Sequence, residues 1–168
     1  MGLMVMLDIN GQRLESAIPM ARYLEASSEP VSQVVICGAP GGVSGWKERF
    51  NRHFSDPNTV KTISVVNRRE ETTVLLSAEI TRLSLSRPDS ILDHWIIVSR
   101  REGFVALVEM LKSMGATRAE WVPMVSNDWL ASLMPEGAQV GDAIRGVASR
   151  LLEKQGGSPL LIGALANT

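Results

Sequence analysis

Short, almost wholly apolar runs alternate along this chain with longer stretches in which apolar residues return every three or four positions. The short runs predict strands at 3–7, 33–37, 61–66, 95–98 and 120–124. The first, second and fourth are nearly continuous in apolar residues, as expected of strands covered on both faces. Alternation of this kind predicts an α/β fold with a mostly parallel central sheet.

Helical periods fall between the strands. A helix is expected over 15–26, with Leu14, Ile18, Ala21 and Leu24 on one stripe and Pro19 delaying its regular part. A second is expected over 43–54, where Trp46, Phe50 and Phe54 recur every four residues. The third spans 70–85, between Arg68-Arg69 and Pro88. The fourth covers 105–114, with Phe104, Leu107, Leu111 and Met114 at helical spacing and Gly115 as its C-cap. After Pro123, Asn127 or Asp128 can cap a short helix to Leu133, and Pro135-Glu136-Gly137 marks a turn. An amphipathic helix follows over 140–154, and a further apolar element over 160–166. The expected division is an α/β domain at 1–125 and a helical C-terminal extension at 126–168.

Composition narrows the classes. A chain of 168 residues fits one domain of ordinary size, and 45% hydrophobic with 21% charged residues suits a soluble globular protein. The formal net charge is -1, so any polyanion site must be a local patch rather than a global field. The single cysteine, Cys37, excludes an internal disulfide framework and sits in an apolar run as a core thiol. No apolar run reaches the roughly 18 residues needed to span a bilayer. The start lacks a basic segment and is interrupted by Asp8, so a cytoplasmic protein with no membrane partner is expected.

In a doubly wound sheet, ligands gather outside the carboxyl ends of the strands. The residues there are Asp8 and Asn10, the segment Gly38-Ala39-Pro40-Gly41-Gly42, Asn67 to Glu71, and Ser99 to Glu102. The glycine-rich stretch is not a phosphate loop. It lacks the Gly-Lys-Ser/Thr ending, Lys47 is out of register and Pro40 removes an amide, so a flexible turn into the second helix is expected. His53 and His94 lack metal-ligand spacing, and no serine has a histidine and acid in a triad arrangement.

Two of these segments carry a resemblance. Asp8-Ile9-Asn10 closes the first strand, and Ser99-Arg100-Arg101-Glu102-Gly103-Phe104 closes the fourth ahead of a helix. Together they resemble the NYN family of PIN-like nucleases, with its Asp-x-Asn opening and its Ser-Gly-Asp-Ser-Asp-Phe turn. The resemblance spans about 4–125, mainly through the order of elements. It implies a three-layer PIN-like fold, a place in RNA metabolism, and a Mg²⁺ or Mn²⁺ site at which carboxylates hold the ion that activates water. On that reading Asp8, Glu71, Ser99 and Glu102 form the catalytic set, with Asp8 and Glu71 as metal ligands.

The chain also departs from the family. Arg101 and Gly103 fall on its two aspartates, and the acid expected early in the third helix falls near Thr72 or Thr73, with Glu71 the nearest carboxylate. One reading is a weak metal-dependent endoribonuclease rebuilt from Asp8, Glu71 and Glu102. The favoured one pairs Arg101 with Asp8 where the metal would have been, leaving a domain that binds RNA without cutting. Asn10, Arg68, Arg69, Arg100 and Arg101 would then line the RNA edge, with Arg49 and Arg52 nearby, because guanidinium forks suit phosphate oxygens. The plainer alternative is a set of solvated arginines paired with Glu48, Glu70, Glu71 and Glu102. A third reading is a protein-interaction scaffold or homodimer using the stripe Val140, Ile144, Val147 and Leu151. The segment 144–168 faintly resembles the opening of a LOTUS-type winged helix, and a plain helical cap is the simpler reading.

Overall fold

The structure, a computed structural model, describes residues 2–66, 69–86 and 93–133, with positions 69 and 70 described by backbone alone. Five strands, β1 (Leu3–Asp8), β2 (Val31–Gly38), β3 (Val60–Ser64), β4 (His94–Val98) and β5 (Arg118–Val122), form one sheet. The helices are α1 (Ala17–Glu25), α2 (Pro40–Phe50), α3 (Arg69–Ser86), α4 (Val105–Ser113) and α5 (Asn127–Ser132). The sheet order is β3-β2-β1-β4-β5, and every pairing is parallel.

Because successive side chains of a strand point to opposite faces, β1 feeds two cores at once. Leu3, Val5 and Leu7 join Val34, Ile36, Ile96 and Val98 beneath α1, α2 and α5. Met4 and Met6 join Val35, Cys37, Trp95 and Ile97 beneath α3 and α4. All six residues of β1 are buried, which explains its continuous apolar run. The result is a three-layer α/β fold. Leu130 and Leu133 of the α5 region are buried in the first core, so the sheet's packing continues to that point.

Several boundaries differ from the sequence expectation. α2 begins at Pro40, not 43, and ends at Phe50, not 54. Proline at the first helical position is pre-set for the helix, so the glycine-rich stretch is the end of β2 at Gly38 and, from Pro40, the first turn of α2, and not a flexible turn. Two of its glycines serve close packing: a Cβ at Gly38 would lie 2.4 Å from Ile9 Cγ1, and one at Gly42 would lie 2.9 Å from Ile9 Cδ1. Phe54 falls beyond the helix yet still stacks on Phe50, with ring centroids 6.1 Å apart. A 3-10 turn at Leu14–Ser16 precedes α1, whose buried stripe is Ala17, Met20, Ala21 and Leu24, with Ile18 half-buried. β5 starts two residues before the expected 120 and ends at Val122. The expected helix at 140–154, the element at 160–166 and the stripe from Val140 to Leu151 lie outside the described residues. Among the described residues, no helix is long and apolar enough to cross a membrane.

Candidate functional site at the strand ends

The chain runs from β1 outward to β2 and β3, then returns to β4 on the other side of β1. The carboxyl ends of β1 and β4 therefore flank the topological switch point, where α/β sheets open a crevice. Leu7 pairs with Val98 across these strands, so the next residues, Asp8 and Ser99, emerge side by side despite 91 positions between them.

Asp8 is fully buried and its carboxylate is closely held. Oδ1 accepts the Asn10 backbone N–H at 3.0 Å and Asn10 Nδ2 at 2.9 Å. Oδ2 accepts the Ser99 hydroxyl at 2.8 Å and faces Arg101 Nε at 3.7 Å. A carboxylate offers about four lone-pair sites, and this one has four groups around it. The pairing of Asp8 with Arg101 suggested by the sequence is thus present.

The surroundings fix both partners. Ser99 Oγ accepts the Arg101 backbone N–H at 3.2 Å, while the Ser99 carbonyl accepts Trp121 Nε1–H at 2.8 Å and its N–H donates to Val122 O at 3.0 Å. Arg101 Nη1 donates to Thr73 Oγ1 at 2.7 Å, and Asn10 Nδ2 also donates to Thr72 Oγ1 at 2.9 Å. Thr72 and Thr73, near which the resemblance led to the expectation of an acid, are therefore the α3 contacts of this cluster. Gln12 clamps the loop after β1 to that after β5, accepting the Val125 N–H at 3.2 Å and donating to Pro123 O at 3.3 Å.

Cys37 lies opposite Asp8 in the β1–β2 register. Burial, and then the Asp8 charge, push its thiol up to about 12, against a smaller opposing pull from Arg101. A thiol so placed is not a nucleophile at neutral pH, in line with the core role expected of it.

Other expected residues are not gathered here. Glu71 and Glu102 make no hydrogen bond or ion pair with Asp8; Glu102 is exposed at the start of a 3-10 turn, and Glu71 is one step around α3 from Thr72. Arg100 is exposed and lies over the loop at Gly11, which adopts φ +84° and whose Cβ would sit 2.7 Å from Arg100 Cδ. Arg68 lies outside the described residues, and Arg69 is described only as the first residue of α3.

Arg49 and Arg52 correct the expectation. α2 starts at the carboxyl rim and carries the chain back across the sheet over about 16 Å. Its last turn thus lies at the opposite rim, where Arg49 Nη1 bonds Gly45 O and Arg52 pairs with Glu48. Trp121 and Gln12 were not singled out by the sequence, and Thr73 stood out only as a place where an acid was missing; the register of β5 and the facing of α3 bring them in.

Among the described residues, no three His, Cys, Asp or Glu side chains come together as a group that could hold a metal ion. No family model, curated protein or solved structure matches the chain.

Proposed function

We propose that this domain is a PIN-like, NYN-related module that binds single-stranded RNA at its strand-end crevice without metal-dependent cleavage. The observation that carries the reading is the Arg101 guanidinium facing Asp8 Oδ2 at 3.7 Å. A divalent ion needs several oxygen ligands around it in near-ideal geometry. Among the described residues, the cluster at the crevice instead offers one carboxylate, the hydroxyls of Ser99, Thr72 and Thr73, and a fixed cation. That donor set does not fit Mg²⁺ or Mn²⁺, because the guanidinium and the ion would compete for the same carboxylate.

RNA is favoured as ligand because the same rim carries Arg100, exposed and without an ion-pair partner among the described residues, next to the partly exposed Arg101. Guanidinium groups contacting a phosphate backbone give sequence-tolerant, salt-sensitive binding. Arg68 and Arg69 follow the end of β3 in the sequence after three intervening residues.

Fluorescence anisotropy with a labelled single-stranded RNA tests this reading. Affinity should fall steeply with salt, weaken in Arg100→Ala and Arg68→Ala, and persist in EDTA, with no cleavage in Mn²⁺. Mn²⁺ binding at micromolar concentration that is lost in Asp8→Asn would overturn it in favour of a working endoribonuclease. No RNA binding at low salt would leave the domain a protein-interaction scaffold.

A further inference from the structure

α3 is apolar on two sides. Leu76, Ile80 and Leu83 are buried against the sheet, while Val74, Leu75 and Leu85 stand 64%, 38% and 69% exposed. The same asymmetry marks the whole layer. Among the described residues, every large exposed hydrophobic side chain within a helix belongs to α3 or α4, Val105 being the fourth, and α1, α2 and α5 expose none. Apolar side chains clustered on one helical layer mark an interaction surface more strongly than scattered ones do.

The arrangement of that face identifies its occupant. At 3.6 residues per turn, Glu71, Val74, Leu75, Arg82 and Leu85 all lie within about 60° of Ala78 around the α3 axis. Glu71, Leu75 and Arg82 fall to one side of the Ala78 line, Val74 and Leu85 to the other. We infer that this face is the interface of a symmetric dimer, in which α3 lies antiparallel to α3 of a second copy with the two-fold axis at Ala78.

Three features support that pairing. The small Ala78 side chain lets the helix axes approach at the centre. With a rise of 1.5 Å per residue, the dyad brings Glu71 within about 4.5 Å, along the axis, of Arg82 in the second copy, and Val74 equally near Leu85 of that copy. A two-fold axis perpendicular to both helices keeps each residue on its own side of the contact. Acid therefore meets base along one flank, and apolar meets apolar along the other. A parallel pairing in register would set Glu71 against Glu71 and Arg82 against Arg82.

Among the described residues, both groups keep capacity for a further partner. Arg82 uses Nε and Nη2 to hold Glu79, at 2.9 and 2.7 Å, and its Nη1 has no partner among the described residues. Glu71 has no ion pair there either. The face is distinct from the strand-end crevice, so the inference stands or falls independently of RNA binding.

Sedimentation velocity on the full chain over a concentration series tests it. A reversible dimer with a dissociation constant on the order of micromolar is expected for a contact of this modest size. Leu85→Glu should weaken it by about tenfold or more while leaving the circular dichroism spectrum, and the Tm measured below the dissociation constant, unchanged. Under mild oxidation Ala78→Cys should form a disulfide-linked dimer much faster than Glu48→Cys, whose exposed position lies on α2 in the opposite layer. A chain that stays monomeric at all concentrations overturns the inference, including one that captures some other protein on this face. So does a dimer that survives Leu85→Glu, or one in which the two cysteine variants crosslink at the same rate.

Discussion

Asp8 and Arg101 show how a buried carboxylate is kept in this fold. Taking a charge out of water is expensive unless it is paired and hydrogen-bonded, and Asp8 receives Asn10, Ser99 and Arg101. Arg101→Met should destabilise the chain by about 2 kcal/mol, less than for a fully buried pair because the arginine is one-quarter exposed. Adding Asp8→Asn to Arg101→Met should cost less than the two single changes summed, because the second removes the charge that the first leaves unpaired. Urea denaturation of the double-mutant cycle measures this, and strict additivity would mean the pair is not energetically coupled. Gly38 makes a different point at the same scale. It is glycine because Ile9 lies against it, and Gly38→Ala should cost about 1–3 kcal/mol in overpacking, read as a lowered Tm. The sequence placed this glycine beside a turn, since nothing local reveals which side chain comes back to touch it.

α3 carries the second lesson. Glu79, almost buried, holds Lys61 of β3 at 2.7 Å and Arg82 one turn along. The Arg82 hydrogen bonds first, and then those from Lys61, hold its carboxyl down to about 2 against the opposing effect of burial. A folded value below the unfolded one means that the unfolded chain takes up the proton first. The stabilisation is therefore complete above the ordinary carboxylate range and is lost as pH falls from about 4 toward 2. Glu79→Gln should cost about 1 kcal/mol at neutral pH, since both cations are partly exposed, and the gap from the parent should close in acid. Urea midpoints compared at neutral and low pH check this. β1, β2 and β4 were legible because runs buried on both faces cannot hide their composition, whereas the edge strands β3 and β5 are only partly buried and their bounds were placed less well. The start of α2 was not, because proline and glycine punctuate loops far more often than they open helices. Thr72 and Thr73 were noticed only as places where an acid was missing. That they bond Asn10 and Arg101 depends on how α3 faces the sheet, which periodicity does not report when a helix is apolar on two sides.

For the whole molecule, the sheet order decides what is gathered. It brings Asp8, Ser99 and Arg101 to one crevice, and it sends Arg49 and Arg52 to the far rim. Residue type and strand order alone set Arg49 and Arg52 near Arg68, Arg69, Arg100 and Arg101, because direction of travel along α2 is a property of the fold. The proposed RNA and dimer surfaces then lie on different parts of one scaffold: a rim built by strand ends and an outer helical face. β1 also sits at the middle of the sheet, flanked by β2 and, 91 positions later in sequence, by β4. A nascent or refolding chain can therefore pair one edge of its earliest strand quickly, but must wait for a distant segment to cover the other. Until that segment arrives, an apolar ribbon with open amide and carbonyl groups is a template for neighbouring chains. The arrangement that creates the crevice thus carries a loop-closure cost that slows assembly.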